Sequence, residues 1–232
     1  MDERERIVSE MHRRAAQIPE GFYALDRPAN RFIYQRYVAA ARRLLAKARL
    51  GPPGHLKVLE VGCGDAQWLV EVRSWGARPA HLHGIDLDTA HIDRARMRLP
   101  DVDLRVGDAS ELPWGDEEFD MVIQSTMFTS ILSPDMRLAV AREMVRVLKP
   151  RGVVLWYDFV YDNPRNGNVR GIGTGEIRKL FPGLAMTCRR VTLAPPLVRL
   201  IVPVSRRAVR LLDSIPLLRT HVVATLRRQP DA

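Results

Sequence analysis

Short apolar runs alternate with amphipathic stretches over most of this chain. The apolar runs have the length of strands and predict strands at 57–61, 81–86, 104–106, 121–124 and 152–159. The stretches between them repeat apolar residues at helical spacing, which predicts helices at 66–75, 89–98 and 134–148. This alternation is typical of parallel strands joined by crossover helices. We therefore expect an α/β fold, a doubly wound Rossmann-like sheet with helices on both faces.

Two more helices are predicted ahead of the first strand, at 2–17 and 30–49. The apolar face of the second helix consists of Ile33, Tyr37, Ala40, Leu44 and Ala48. The proline- and glycine-rich stretch GPPGH then interrupts the chain at 51–55. We expect residues 1–53 to be an N-terminal helical extension and residues 54–232 to be the main domain.

Composition narrows the class of protein. With 232 residues, 46% of them hydrophobic, the chain can bury one substantial core. No apolar run approaches the roughly 20 residues that cross a bilayer, and in MDERERIVSE no basic segment leads into an apolar stretch. We therefore expect a cytoplasmic location. Cys63 and Cys188 lie far apart without metal-ligand spacing, which predicts neither a metal site nor a disulfide framework.

The formal net charge of +9 is concentrated in the C-terminal third. From residue 165 onward, 13 Arg and Lys residues oppose three acids, so this part carries +10 and the remainder −1. Such a surface can attract nucleic acid, anionic lipid headgroups or acidic small molecules, or it can simply face water.

Polar and small residues follow four of the predicted strands. Gly62 and Gly64 follow the first, Asp86 closes the second, Asp108 follows the third and Gln124 closes the fourth. In a doubly wound sheet, ligands bind outside the carboxyl ends of the strands. Because Gln67, preceded by Ala66, stands where the dinucleotide loop G-x-G-x-x-G needs its third glycine, a pyrophosphate is not favoured. The acidic residues favour a cationic ligand.

These residues belong to motifs that resemble the class I S-adenosylmethionine-dependent methyltransferases, of the methyltransferase-11-like type. The matching stretches, in order over 58–155, are VLEVGCGDA, GIDLD, VGDASELPW, FDMVIQST and REMVRVLKPRGVVL. A weaker resemblance, in NPRN, TLAPPL and LLRTH, is to methyltransferases of bacterial polysaccharide pathways. The family resemblance implies a seven-stranded sheet whose sixth strand, near 186–193, is parallel and whose seventh, near 220–227, is antiparallel.

The resemblance also implies which residues hold the cofactor S-adenosyl-L-methionine and its product S-adenosyl-L-homocysteine. Glu60 and the turn Gly62, Cys63 and Gly64 would surround the methionine part. Asp86 and Leu87 would contact the ribose, Asp108 and Ala109 the adenine, and Gln124 the methionine end. Ala66 departs from the family, in which many members have a third glycine at this position.

A hydroxyl acceptor needs a base, and histidine has the most suitable pKa. In the implied fold the start of the seventh strand lies at the active face, beside the end of the fifth. We therefore predict His221 as the general base, Asp158 as its orienting carboxylate and Tyr157 as a neighbour at the same edge; the alternative is that His221 only fills a contact at the strand end. The residues predicted to bind the acceptor are Ser125, Asn163, Arg165 and Arg219.

The segment 194–219, APPLVRLIVPVSRRAVRLLDSIPLLR, is longer than a turn requires and mixes Pro, Leu and Arg. We expect a helical insertion that covers the substrate. Three interpretations stay open: a lid over an anionic or lipid-linked acceptor, a basic amphipathic surface on a membrane, or a packed hairpin whose arginines face water.

The favoured function is methyl transfer from S-adenosylmethionine to a small or glycan-like acceptor, at a hydroxyl oxygen. One alternative is an RNA methyltransferase that uses the basic C-terminal third. After Tyr161, however, Phe181 is the sole aromatic residue, which leaves little to stack on bases. The other alternative is a noncatalytic cofactor-binding scaffold. No DNA partner is expected.

Overall fold

A computed structural model describes residues 2–19, 21–164 and 166–228. Its strands are β1 (Val58–Val61), β2 (Leu82–Asp86), β3 (Asp103–Val106), β4 (Phe119–Ser125), β5 (Leu148–Phe159), β6 (Leu184–Leu193) and β7 (Arg219–Arg228). Its helices are α1 (Glu3–Gln17), α2 (Pro28–Ala48), α3 (Gln67–Ser74), α4 (Thr89–Arg98), α5 (Pro134–Arg146), α6 (Thr174–Leu180), α7 (Pro195–Ile201) and α8 (Arg206–Asp213).

The strands form one sheet in the order β3-β2-β1-β4-β5-β7-β6. Neighbours from β3 to β5 pair in parallel, and β7 is antiparallel to both β5 and β6. Strand order reverses between β1 and β4, so the loops at their carboxyl ends diverge and leave room for a ligand. The predicted doubly wound, seven-stranded α/β fold is confirmed.

Two apolar layers cover the sheet because successive side chains on a strand point to opposite faces. Val58 belongs to the layer under α2, α3 and α4, and Leu59 to the layer under α1, α5 and α6. Both side chains are fully buried. The helix α2 also packs across β6 and β7, so a helix that precedes the first strand covers the far edge of the sheet.

Some boundaries differ from those predicted. The strand expected at 152–159 begins at Leu148, because Leu148 pairs with Phe119 directly after α5 ends at Arg146. The strand expected at 121–124 likewise extends over Phe119–Ser125. The helix α6 was not predicted. Within 194–219 the chain forms α7 and α8, which pack on α2 through Val198, Val202 and Val209.

Among the described helices, none combines the length and the apolar character that crossing a membrane requires.

Candidate functional site

The turn after β1 holds three residues in the left-handed backbone region. Gly62, Gly64 and Ala66 have φ angles of +65°, +51° and +57°. A Cβ on Gly62 would overlap the side chain of Met127, whereas a Cβ on Gly64 would meet no protein atom within 4 Å. Packing therefore requires a glycine at 62, while Gly64 leaves its backbone open to the neighbouring cavity. Ala66 adopts a backbone conformation that glycine reaches at lower steric cost than alanine.

Asp86, at the end of β2, fixes this turn. Its Oδ2 accepts a hydrogen bond of 2.8 Å from the backbone N–H of Gly64, and its Oδ1 accepts one of 3.0 Å from that of Asp88. The Nδ1 atom of His91 lies 3.2 Å from Oδ1, and this hydrogen bond raises the pKa of His91. An ionised carboxylate has about four acceptor positions, so Asp86 retains capacity for a ligand hydroxyl.

Glu60 is a buried carboxyl group on β1. The backbone N–H of Leu69, in the first turn of α3, donates a hydrogen bond of 3.2 Å to its Oε2. Burial raises the pKa of Glu60 to about 8, and burial likewise raises the pKa of the neighbouring Cys63 thiol. A cationic ligand would lower the pKa of Glu60 and stabilise its ionised form.

Two predicted cofactor residues have other partners. The carboxylate of Asp108 is paired with Arg4 of α1 and accepts a hydrogen bond of 2.8 Å from the backbone N–H of Ser110. Gln124 is fully buried beneath the site, where its side-chain amide lies 3.4 Å from the N–H of Met127 and from the carbonyl of Tyr157.

A cavity of about 920 Å³ lies at the carboxyl ends of β1, β2 and β4. Eight of the predicted residues line it: Glu60, Gly62, Cys63, Gly64, Asp86, Leu87, Ala109 and Ser125. The structure thus brings together the residues predicted after four different strands. This end, here called the acidic end, carries the carboxyl groups of Glu60, Asp65 and Asp86, and the guanidinium groups of Arg94 and Arg98 bind Asp65 beside them.

The opposite wall of the cavity is apolar and was not predicted. It consists of Ile7, Met11, Ala15, Ile18, Pro19 and Phe22 from the N-terminal segment, with Met127, Ile131, Met136 and Val140 from the loop after β4 and from α5. A signal for the N-terminal part is present in the sequence: Ile7, Met11, Ala15 and Ile18 recur at helical spacing. The pattern predicts an apolar face but does not say that it covers a cavity.

The predicted base His221 stands on β7, opposite Phe159. Its ring stacks on Tyr157 with centroids 5.0 Å apart, and Tyr157 also stacks on Tyr37 of α2 at 4.3 Å. Of these three rings, Tyr37 alone lines the cavity. Burial lowers the pKa of His221 to about 4, and its Nδ1 lies 2.9 Å from the hydroxyl of Thr220.

Asp158 does not meet His221. Neighbouring residues on a strand point to opposite faces of the sheet, and Asp158 accepts a hydrogen bond of 2.8 Å from the hydroxyl of Thr129. Burial raises the pKa of Asp158 to about 7. The structure therefore places His221 with Tyr157 and separates both from Asp158.

The predicted acceptor-binding residues are scattered. Ser125 lines the cavity. Arg219 is buried outside the cavity lining, where its side chain donates to the backbone carbonyls of Asp213 at 2.7 Å and Arg190 at 3.2 Å. Asn163 lies in the exposed loop after β5, also outside the lining. Arg165 lies outside the described residues.

Comparison with known families identifies the central part of the chain. Residues 58–152 match the profile of a methyltransferase domain family. This range contains β1 to β4, the start of β5 and every predicted cofactor residue.

Two curated relatives are methyltransferases. The chain is 29% identical over 144 residues to a demethylmenaquinone methyltransferase of Renibacterium salmoninarum, covering 62% of this chain and 57% of the relative. It is 38% identical over 115 residues to a phthiotriol/phenolphthiotriol dimycocerosates methyltransferase of Mycobacterium tuberculosis, covering 47% of this chain and 40% of the relative. The chain thus spans between two-fifths and three-fifths of the length of these relatives.

Solved structures share the fold over nearly the whole chain. A geranyl diphosphate C-methyltransferase from Streptomyces coelicolor matches with a TM-score of 0.64 at 15% identity, over 91% of this chain and 86% of the other. The PH0226 protein from Pyrococcus horikoshii matches with a TM-score of 0.59 at 18% identity, over 84% and 91%. At such low identity the likeness concerns the fold.

Proposed function

We propose that this chain, in which residues 58–152 form a methyltransferase domain of the class I fold, transfers a methyl group from S-adenosylmethionine to an apolar small-molecule acceptor. The observation that supports this proposal is a single cavity whose two ends differ in polarity. The acidic end follows β1, β2 and β4, and the apolar end lies beneath α1 and α5.

The acidic end fits S-adenosylmethionine in charge and in shape. The ligand carries an ammonium and a sulfonium cation, and Glu60 and Asp86 offer carboxyl groups within the cavity lining. The open space at Gly64 lets a ligand approach the backbone. Asp86 suits the ribose hydroxyls, and Leu87 and Ala109 provide an apolar edge for the adenine. When bound, the cofactor supplies an electrophilic methyl group.

The chain contributes to the reaction chiefly by position. Displacement at a methyl carbon requires the acceptor atom to lie in line with the breaking bond, in a site from which water is excluded. Such positioning can supply roughly 7 to 11 kcal/mol in favourable intramolecular reactions. The apolar wall formed by Ile7, Met11 and Phe22 would hold the acceptor and keep water out.

The character of this wall favours an apolar acceptor over the glycan-like acceptor considered from the sequence. Of the residues predicted to bind a polar acceptor, Asn163 and Arg219 lie outside the lining, and Arg94 and Arg98, which line it, are hydrogen-bonded to Asp65. The acceptors named for the two relatives, demethylmenaquinone and the phthiotriol dimycocerosates, agree with an apolar acceptor.

A hydroxyl oxygen stays the proposed acceptor atom. Of the two hypotheses for His221, a general base or a contact at the strand end, its position favours the contact. Tyr157 lies between the His221 ring and Tyr37, which lines the cavity. Direct proton removal by His221 would therefore require these rings to rearrange.

The test has two stages. Calorimetry should detect binding of S-adenosylhomocysteine to the wild-type chain and to Asp101→Ala, an exposed acid on the surface, and no binding to Asp86→Ala. Next, transfer of a labelled methyl group should appear with an apolar organic extract of cells and not with the water-soluble fraction.

Each stage can overturn part of the proposal. Absence of S-adenosylhomocysteine binding would refute the cofactor site. Binding without transfer into either fraction would indicate the noncatalytic scaffold instead, and transfer confined to the water-soluble fraction would refute the apolar acceptor.

A further inference from the structure

The surface formed by residues 195–217, here called the insertion surface, exposes an unusual number of apolar side chains. Among the described residues, nine large hydrophobic side chains are exposed, and five of them lie here: Leu200 at 71%, Val204 at 85%, Leu211 at 70%, Ile215 at 41% and Leu217 at 84%. Scattered exposed hydrophobics are ordinary in proteins, but a concentration of them marks an interaction site.

Arginines accompany these apolar residues. Arg206, Arg207 and Arg210 are exposed on α8, and within the described ranges none of the three forms an ion pair. The sole acidic residue of the surface, Asp213, is buried and paired with Arg36 of α2 at 2.5 Å. The exposed part of the surface therefore carries positive charge without compensation from its own acids.

The insertion surface is held firmly on the protein. Val198, Val202 and Val209 turn inward and form a buried cluster with Leu193, against which Phe32 and Ile33 of α2 pack. The backbone N–H of Leu193 also donates to Asp213 at 3.1 Å. Leu200 of α7 and Leu211 of α8 are thus displayed outward from two anchored helices, and Leu217 is exposed in the turn that follows α8.

The surface also adjoins the cavity. The Arg199 guanidinium of α7 lies 4.6 Å from the ring centroid of Phe22 and 5.8 Å from that of Tyr23. Both rings line the cavity, and Tyr23 is itself more than half exposed. A contact made by the insertion surface would therefore form next to the apolar end of the cavity.

We propose that the insertion surface docks on the interface of an anionic lipid bilayer. Exposed leucines can enter the boundary between headgroups and acyl chains, while the arginines attract anionic headgroups. A second copy of this chain is a poorer occupant, because two such surfaces would bring unpaired arginines together. RNA is poorer as well, since it gives no role to the exposed leucines and valine.

Docking would place the cavity beside a membrane, which is a source of apolar acceptors. This consequence of docking rests on the proposed function. The docking itself requires neither cofactor nor methyl transfer. A failure of vesicle binding would therefore leave the methyltransferase proposal standing, and absence of cofactor binding would leave the docking proposal standing.

The test is sedimentation of the full chain with vesicles of phosphatidylcholine alone and of phosphatidylcholine mixed with phosphatidylglycerol. We expect binding to the mixed vesicles and much weaker binding to the neutral ones. Arg206→Glu with Arg207→Glu should weaken binding to the mixed vesicles by about tenfold or more, since each arginine near an anionic surface contributes on the order of 1 kcal/mol. Leu200→Asp with Leu217→Asp should weaken it as well.

Matched variants provide the controls. Arg178→Glu with Lys179→Glu makes the same change of charge on α6, within the same basic third of the chain, and Met97→Asp places an acid at an exposed apolar site on α4. Both should bind vesicles nearly as the wild type does. Circular dichroism and thermal unfolding verify that each variant is folded.

Three results would overturn the docking proposal. The first is no binding to the mixed vesicles. The second is an equal loss of binding in the α6 control, which would mean that net charge and not this surface is responsible. The third is a wild-type protein that forms a dimer and does not bind vesicles, and whose dimer dissociates when Leu200→Asp and Leu217→Asp are combined. That result would identify a second copy of the chain as the occupant.

Discussion

At the scale of single residues, two glycines two positions apart share one backbone conformation but have different surroundings. Gly62 and Gly64 both have positive φ, and an added Cβ would overlap protein only at Gly62. An alanine in the left-handed region costs roughly 1 to 2 kcal/mol. Overpacking costs roughly 1 to 3 kcal/mol more, and this second cost applies at Gly62.

We expect Gly62→Ala to lower the free energy of unfolding by about 2 to 5 kcal/mol, and Gly64→Ala to lower it by about 1 to 2 kcal/mol. Gly64→Ala should nevertheless abolish binding of S-adenosylhomocysteine, because its methyl group points into the open space. Urea unfolding and calorimetry measure the two effects. Equal destabilisation by both variants would contradict the packing role of Gly62.

The raised pKa of Glu60 makes the stability of the folded protein depend on pH. Its pKa is about 8 in the folded protein, against 4.5 for an unperturbed glutamate. Between these values the folded state binds more protons than the unfolded state, so the stability contributed at low pH is lost as pH rises. Asp158, with a pKa of about 7, acts in the same direction.

Glu60→Gln should therefore reduce the loss of stability between about pH 5 and about pH 8 by on the order of a few kcal/mol. Urea unfolding of the wild type and the variant at both pH values measures this difference. A variant with the wild-type pH dependence would show that Glu60 ionises in the fold without penalty.

Two substitutions distinguish a chemical role of the His221 imidazole from a packing role of its ring. The His221 ring stacks on Tyr157 outside the cavity lining, and its pKa is about 4. We therefore expect His221→Phe, which keeps the stacked ring, to keep kcat within about threefold of the wild type. His221→Ala should lower kcat because the stacking contact is lost. A general base would behave otherwise, since both variants would lose roughly 10² to 10⁴ in kcat. Steady-state kinetics on both variants distinguishes the two roles.

At the scale of elements, α1 is the helix on which the apolar wall most depends. Two acidic residues attach it to neighbouring loops. Glu3 accepts hydrogen bonds from the backbone N–H groups of Leu132 at 2.6 Å and Ser133 at 3.2 Å. Glu10 accepts one from the side chain of Asn168 at 2.8 Å. The hydrogen bond from Arg6 holds the pKa of Glu3 below its ordinary value, so this attachment is lost only in acid.

We expect Glu3→Ala to leave the N–H groups of Leu132 and Ser133 without a partner and to loosen α1. Hydrogen exchange across residues 3–17 should become about tenfold faster, while exchange in β1 and β4 should not change. Glu111→Ala, at an exposed glutamate, serves as the control. Unchanged exchange in α1 would mean that its apolar contacts suffice to hold it.

At the scale of the whole molecule, the N-terminal helices belong to the same packed body as the sheet. Ala41 and Leu44 of α2 share a buried cluster with Val191 of β6 and Val223 of β7. Arg36 of the same helix pairs with Asp213 of α8. The division into residues 1–53 and 54–232 stays a prediction, and this packing indicates that the two parts unfold together.

We expect one unfolding transition, with circular dichroism and tryptophan fluorescence coinciding. Arg36→Ala should move that transition and lower the free energy of unfolding by about 1 to 3 kcal/mol, because the buried Asp213 loses its partner. Arg43→Ala, at an exposed arginine of the same helix, should have little effect. Two separate transitions would show that residues 1–53 fold on their own.

The sequence by itself determined the alternation of strands and helices from β1 to β5 and the residues that stand at the carboxyl ends of those strands. Both depend on local patterns, since an apolar run predicts a strand and the residue after a strand must lie at the edge of the sheet. The resemblance of these motifs to a methyltransferase family then implied cofactor roles for Glu60, Gly64 and Asp86, and all three line the cavity. Strand and helix ends were predicted less well, because pairing such as that of Leu148 with Phe119 extends a strand beyond its apolar run.

Only the tertiary structure decided what completes the site and what lies outside it. The apolar wall comes from α1 and α5, which are far apart in the chain, and no local pattern states which faces of two helices meet. The side chains of Asp158 and His221 were predicted to be partners from strand ends alone, yet the pleat of the sheet turns them to opposite faces. Direction and distance between side chains follow from the packing of the whole chain, and that packing is non-local.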